Sequence, residues 1–271
     1  MYAVANNFTP DKQNSTIKAA LFQIQVDGDD FTKNEEKILR LVETSSADLL
    51  VFPEACTSGF QYNRLREIAE FNDLFLEKAK SISAKLKKQL YLPLLCRDNE
   101  SYFNRPFFIS DGMVRCNYDK IHLIGALKED EHLRPGKNPV SFTVREGITA
   151  GASTCYDLRF PELFRYLTLR RGIHLILCSC MWPVERKEHL RILAQARAVE
   201  NQCPVLLTNA VGPSGKINNC GQSAIYNARG ESLALAGINE EETLTGEIHL
   251  DEILDWRSRF PVLADASDLI S

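Results

Sequence analysis

Short apolar runs alternate with helix-favouring stretches along this chain, and that alternation is what most limits how it can fold. Residues 17–26 (IKAALFQIQV), 47–53 (ADLLVFP), 90–96, 173–178 and 204–209 carry few polar breaks. Runs of that length without a polar face suit strands covered on both sides. Between them, residues 29–44 place Ile38, Leu41 and Val42 at helical spacing, and 63–90 are long, charged and helix-favouring. Residues 161–171 carry Pro161 at an early helical position, and 188–201 favour a further helix. Over 101–124 the pattern changes: SYFNRPFFIS, a turn at 110–113 and VRCNYDKIHLI predict an antiparallel hairpin. A strand over 144–155 and two or three strands over 221–248, with Gly230 at a turn, complete a mixed α/β chain of layered sheets and helices. No linker, internal repeat or low-complexity segment divides it, so one domain over 1–271 is expected, with peripheral arms at 1–15 and 258–271.

The chain has 271 residues, 44% of them hydrophobic, which is ample material for a core without disulfides. That bears on its eight cysteines, at 56, 96, 116, 155, 178, 180, 203 and 220. A disulfide framework belongs to short secreted chains. Cys178-Ser-Cys180 is one residue too tight for the usual zinc spacing, and no second pair follows it. Packing as small hydrophobes is the default for any one of them. With 32 basic and 36 acidic residues scattered along it, the chain shows no basic footprint for nucleic acid. The N-terminal residues do not read as a secretory signal, and the most apolar stretch, 172–184, falls short of the roughly 20 residues of a membrane span. A cytoplasmic enzyme is expected.

Gly-x-Ser-x-Gly, phosphate-loop and Gly-x-Gly-x-x-Gly signatures are missing from the sequence, and none of its five histidines lies in a metal-binding pair. Three reactive side chains, however, stand at the carboxyl ends of strand-like runs, where loops of α/β sheets build sites. Glu54 follows DLLVFP, Lys120 ends VRCNYDK, and Cys155 follows GITAGAST at a strand-to-helix junction. Each has an ordinary alternative: a cap for Glu54, a solvated end for Lys120, packing for Cys155. Together they are a working set for acyl transfer: a thiolate nucleophile, a carboxylate that moves its proton, and an ammonium group for the oxyanion.

Glu54 in FPEACTSGF, Lys120 in YDKIHLI and Cys155 in STCYDLRFPELFR, in that order, resemble the Glu-Lys-Cys triad of the nitrilase superfamily of carbon-nitrogen hydrolases. The likeness continues in Glu129 of LKEDEHLRPG, Trp182-Pro183, ARAVEN at 196–201, NAVG at 209–212, GQS at 221–223 and RSRFPVL at 257–263, and so covers about 17–263. It implies a four-layer α-β-β-α sandwich, assembled as a homodimer or larger oligomer, with no metal and no cofactor. It also implies that Cys155 forms a thioester with the acyl part of an amide, that Glu54 acts as base and acid, and that Lys120 and the Tyr156 N–H hold the oxyanion. Glu129 would position Lys120 and substrate. Tyr-Asp-Leu-Arg-Phe-Pro after the cysteine is similar to the amidase-type branches, in particular omega-amidases of 2-oxoglutaramate, so a small amide and water are the expected partners. Phe60, Tyr156 and Trp182 are candidates for the substrate wall, Trp182 equally for the core. Arg159 is either a substrate contact or an ion-pair partner of Asp157 or Glu162. N-carbamoyl compounds, deaminated glutathione and aliphatic amides are alternative substrates, and a binding protein without turnover is an alternative of another class.

Overall fold

The computed structural model describes residues 15–215 and 217–266, so the expected arm at 1–15, apart from Ser15, and the last five residues of the expected C-terminal arm lie outside the described residues. In the first sheet, β1 (Thr16–Gln23), β2 (Leu49–Val51) and β3 (Gln89–Asp98) run parallel. β4 (Ser101–Ser110) and β5 (Met113–Asn117) continue it as the expected hairpin, and β14 (Glu242–His249) closes the other edge antiparallel to β1. The second sheet has β7 (Ile148–Thr154), β8 (Leu175–Cys180) and β9 (Val205–Asn209) parallel at its centre. β6 (Ser141–Arg145) flanks β7, while β12 (Ala224–Tyr226) and β13 (Ser232–Leu235) flank β9, all antiparallel. The two six-stranded sheets therefore share one strand order: three parallel strands, two antiparallel strands beyond the third, and one antiparallel strand beside the first.

Alternation along the central strands builds the layers, because successive side chains point to opposite faces. Ile17, Ala19 and Leu21, with Leu49, Val51 and Tyr91, face Ala150, Ala152, Leu175, Leu177 and Leu206 of the other sheet. The intervening Ala20, Phe22, Leu50, Phe52 and Leu92 pack under α1 (Phe31–Thr44) and α2 (Leu65–Leu86). On the far side, Ile176, Cys178, Val205 and Leu207 pack under α4 (Pro161–Arg171) and α5 (Lys187–Asn201). The chain is an α-β-β-α sandwich. Helix boundaries follow local chemistry. Asp30 accepts a hydrogen bond from the Lys33 N–H at 2.9 Å to cap α1, and the helical run at 63–90 stops at Leu86, where Lys87 turns left-handed before β3.

Two elements differ from the sequence expectation. A hairpin of β10 (Val211–Ser214) and β11 (Ile217–Cys220) fills the segment between β9 and β12, and α6 (Leu250–Arg259) follows β14 and reaches only the first two residues of the expected C-terminal arm. α6 is no loose arm. Leu250 and Ile253 enter the core between the sheets, and Arg257 reaches the carbonyls of Gln202 at 3.1 Å and Ile173 at 2.9 Å.

All eight cysteines are unpaired and all except Cys116 are buried. Burial pushes up the thiols of Cys56, Cys180 and Cys203, those of Cys96 and Cys220 to about 12, and that of Cys116 to about 11. A thiol whose folded pKa lies above its unfolded one stabilises the fold fully below the unfolded value and loses that contribution as pH rises. The loss is roughly 1.4 kcal/mol per thiol for each pH unit above the unfolded value. Urea midpoints should therefore be flat to about pH 8.5 and fall steeply by pH 10; a profile that stays level to pH 10.5 would contradict this arrangement of the core.

Candidate active site

The carboxyl ends of β2, β7 and β8 come together where the two sheets meet, and they bring Glu54, Cys155 and Met181 to one place. Glu54 stands three residues beyond β2, on a turn whose next residue, Ala55, is left-handed with φ 45°. Its Oε1 accepts hydrogen bonds from Asn104 Nδ2 at 2.7 Å and Lys120 Nζ at 3.0 Å, and its Oε2 accepts one from the Met181 N–H at 2.9 Å. Lys120 stands three residues past β5, and its N–H donates to the Asn104 carbonyl at 3.0 Å. Its ammonium group also reaches Glu129 Oε1 at 2.8 Å and Oε2 at 2.9 Å. Glu129 opens α3 (Glu129–His132) and is fixed by the Ile124 N–H at 2.8 Å. The Pro135-Gly136 turn seats this loop: the Gly136 N–H donates to the Lys120 carbonyl, and a Cβ on Gly136 would lie 2.1 Å from the Asp119 oxygen.

Lys120, Glu54 and Glu129 are each at most 2% exposed, so water screens none of their charges. Burial opposes the charge of Lys120, but the two carboxylates overcome it and hold its pKa well above that of a free lysine. Glu54 moves the other way: burial pushes its carboxyl above the ordinary range against the pull of Lys120, and Glu129 adds to the rise. A raised carboxyl that is still hydrogen-bonded is suited to exchanging a proton near neutrality.

Cys155 has φ 46°, a left-handed conformation that costs about 1–3 kcal/mol for a side-chain-bearing residue. It opens the 3-10 turn Cys155–Arg159, and its thiol lies near enough to Cys180, Glu54 and Lys120 for each to shift its pKa. The Cys180 contact and Lys120 pull the thiol pKa down, burial and Glu54 push it up, and the balance lies above an ordinary thiol. At neutral pH the resting thiol therefore keeps its proton. Asp157, fully buried, holds the turn by accepting from the Thr154 N–H at 3.0 Å. The same carboxylate accepts from the Tyr118 hydroxyl at 2.7 Å and the His122 N–H at 3.0 Å, and lies 2.8 Å from His122 Nδ1. Asp157 thus ties the Cys155 turn to the segment that carries Lys120. Arg197 supports the turn from behind, donating from Nε at 3.1 Å and Nη2 at 2.8 Å to the Leu158 carbonyl.

Residues 18–258 match the protein-family model for carbon-nitrogen hydrolases. The chain belongs to that family. A staphylococcal relative, the "Hydrolase in agr operon" of Staphylococcus lugdunensis, is 32% identical over 229 residues, covering 82% of this chain and 96% of that protein. A 2-oxoglutaramate amidase of Paenarthrobacter nicotinovorans is 32% identical over 270 residues, covering 89% of this chain and 87% of that protein. Among solved structures, a carbon-nitrogen hydrolase superfamily protein of Xanthomonas campestris with an arsenic adduct in its active site superimposes with a TM-score of 0.87. It is 25% identical and is matched over 94% of this chain and 99% of that one.

In this carbon-nitrogen hydrolase the structure gathers Glu54, Lys120, Glu129 and Cys155 into one buried cluster, as the sequence led one to expect. Phe60 lies beside it, with its ring centroid 5.9 Å from Lys120 Nζ. Trp182 packs as a core residue: nearly fully buried, it is held by its N–H on Asn209 Oδ1 at 2.7 Å and its indole N–H on the Arg186 carbonyl at 2.8 Å. That bond explains the NAVG motif, and Ser223 Oγ in GQS accepts the Asn209 N–H at 2.9 Å. Arg159 pairs with neither Asp157, whose oxygens are taken by Thr154, Tyr118 and His122, nor Glu162. Its guanidinium lies over the Trp182 and Tyr156 rings instead.

Several neighbours were not singled out from sequence. Asn104 and Tyr118 sit within strand-like text and read there as ordinary hairpin residues, and Cys180 was grouped with the packing thiols. Tyr62 is the clearest omission. Burial raises its hydroxyl pKa, Glu129 and Glu54 raise it further, and its ring stacks on His132 at 4.5 Å, so it stands beside the charged cluster. Asp157 and His122 each lie two residues from a singled-out residue. That proximity was the available signal.

Proposed function

We propose that this carbon-nitrogen hydrolase acts as an omega-amidase, cleaving the terminal amide of a small dicarboxylic acid monoamide such as 2-oxoglutaramate into the acid and ammonia. The observation that carries the chemistry is the single ammonium group of Lys120 shared between Glu54 and Glu129 beside the Cys155 thiol. The substrate class draws support from the amidases among the 32% identical relatives.

In this reading Glu54 removes the proton from Cys155, and the thiolate adds to the amide carbon. The carbonyl oxygen takes the electron pair and is stabilised by Lys120 and the N–H of Tyr156. As the C–N bond breaks, Glu54 returns the proton to nitrogen, which leaves as ammonia. Water then enters, loses a proton to Glu54 and adds to the thioester. Collapse releases the carboxylic acid, and the sulfur recovers its proton from Glu54. Glu129 keeps Lys120 charged and aimed at the oxyanion. Phe60, Tyr62, Tyr156 and Trp182 exclude bulk water, so these charges act in a low dielectric. Exposed Ile192 and Val199 on α5, with Leu233 and Leu235 on β13, suit a homodimer or larger assembly.

Ammonia release should be fastest with 2-oxoglutaramate and succinamate in a panel that also holds an N-carbamoyl amino acid and short aliphatic amides. Turnover of the aliphatic or carbamoyl compounds without the dicarboxylate amides would place the protein in another branch.

A further inference from the structure

Asn104 lies within β4, opposite Leu95 of β3, and is 1% exposed. Its backbone and its side chain touch two different partners. The carbonyl accepts the Lys120 N–H at 3.0 Å, while Nδ2 donates to Glu54 Oε1 at 2.7 Å. Its Oδ1 is buried and meets no donor among the described residues. A buried amide oxygen without a donor costs stability, so an apolar residue of similar shape would suit the strand better. What the amide supplies in return is the N–H on Glu54.

Glu54 bridges the two sheets, one oxygen to each. Oε1 takes Asn104 Nδ2 and, at 3.0 Å, Lys120 Nζ, both from the β4–β5 side of the first sheet. Oε2 takes the Met181 N–H at 2.9 Å, just past β8 of the second sheet. Cys155 belongs to that second side: Thr154 pairs with Ser179 in the register of β7 and β8, and Cys155 and Cys180-Met181 continue from those two ends. An ionised carboxylate offers about four acceptor sites, two on each oxygen. Two donors fill Oε1 and one occupies Oε2. The remaining site is therefore on the oxygen held to the sheet that carries Cys155.

Resting on the role of Glu54 in the amidase reading above, we infer that Asn104 is the positioning residue of the general base. With Lys120 it closes Oε1 to protons, so each proton exchanged with Cys155, the leaving nitrogen and water passes through the free site on Oε2. Without the Asn104 N–H, Oε1 gains an open site on the first-sheet side, and a proton resting there is not passed to the reacting atoms. The same N–H favours the charged carboxylate over the acid. The other titratable groups that face Glu54 are Lys120, Glu129, Cys155 and Tyr62. A substitution at 104 leaves all four in place and keeps the backbone bond that seats Lys120.

The test is the pH dependence of kcat/KM for 2-oxoglutaramate in wild type, Asn104→Ala and Asn104→Asp. In Asn104→Ala the acid limb should move up by about 1 pH unit, a tenfold gain in the proton affinity of Glu54. On the plateau kcat should fall about tenfold with KM nearly unchanged, because Glu54 is no longer fixed. Asn104→Asp keeps the shape without the donor and sets a second carboxyl against Glu54, so its limb should move further. Both variants should melt within a few degrees of wild type. A uniform fall at every pH is what a purely structural role gives, and it would overturn the assignment, as would an Asn104→Asp profile equal to wild type. A second measurement needs no turnover: the rate at which iodoacetamide alkylates Cys155 over a pH series, located by mass spectrometry. The rise in that rate should begin at higher pH in Asn104→Ala and should be missing in Glu54→Gln; a rise that survives there would overturn the assignment. If wild type releases ammonia from 2-oxoglutaramate but neither profile moves in Asn104→Ala, the positioning role is wrong and the amidase reading stands. If no amide is turned over but the alkylation profiles move as stated, the amidase reading fails and the positioning role stands.

Discussion

Cys155→Ala should lower kcat for amide hydrolysis by at least about 10⁴-fold while moving the thermal midpoint by no more than a few degrees. The two halves of that expectation have separate causes. Chemically, no other group can replace the sulfur. Its neighbour Cys180 is fully buried and its thiol is pushed well above the thiol range, so Glu54 cannot ionise it at neutral pH. Structurally, the side chain is small, and the turn that holds it is fixed by Asp157 and Arg197 rather than by the thiol. The left-handed backbone at 155 is as costly for alanine as for cysteine, so that strain does not change. Cys155→Ser should be nearly as inactive, because a hydroxyl is a far weaker acid than a thiol. Glu54→Gln should be slow in both half-reactions, and mass spectrometry of that variant after mixing with substrate should show a long-lived acyl adduct on Cys155. Cys180→Ala removes the contact that most lowers the Cys155 pKa, so its activity should rise with pH later than that of the wild type. A Cys155→Ala protein that retained even a few per cent of wild-type turnover would exclude the thioester mechanism.

The contrast between Cys155 and Cys180 shows what could be read from the sequence and what could not. Cys155 and Glu54 stood out because each follows an apolar run that ends abruptly, and strand ends of an α/β sheet supply loop chemistry. Lys120 likewise ends a strand-like run, whereas Glu129 was recognisable only from family likeness and order. Their shared ion pair was not, since Glu129 reaches Lys120 only because Gly136 lets the loop lie against the Asp119 backbone. The layers followed from alternation in strands such as 17–23, where one set of side chains meets the other sheet and the other set meets the helices. Asp157 is different in kind. Its role lies in partners 35 and 39 residues away, His122 and Tyr118, and local text carries no trace of that pairing. The β10 and β11 hairpin went unread because VGPS and INNC lack an apolar alternation, and its strands are held by backbone pairing to each other. The matching strand order of the two sheets left no sequence repeat, because each half keeps only the apolar pattern that the order requires.

Lys120→Met should abolish turnover, by about 10³-fold or more, and should also destabilise the fold in a pH-dependent way. The wild-type cluster holds one ammonium group between two carboxylates, all shielded from water. Removing the ammonium leaves Glu54 and Glu129 facing each other without a counter-charge, a situation that costs about 3–5 kcal/mol when one partner of a buried pair is deleted. The system can relieve that cost by keeping a proton on Glu54, whose folded pKa, already raised by burial, then rises further above the unfolded value. A group with a raised folded pKa stabilises the fold fully below its unfolded pKa and loses that contribution as pH rises through the folded one. The stability gap between Lys120→Met and wild type should therefore be widest above neutrality and narrow as pH falls toward 5, as read by urea unfolding at a series of pH values. Lys120→Met/Glu129→Gln separates structure from chemistry. It removes one of the two opposed carboxylates, so it should recover most of the lost stability at pH 8. It should recover none of the activity, because the oxyanion still has no cation. If the double variant regained turnover together with stability, Lys120 would be a structural counter-ion only, and the oxyanion would have to be held by other groups.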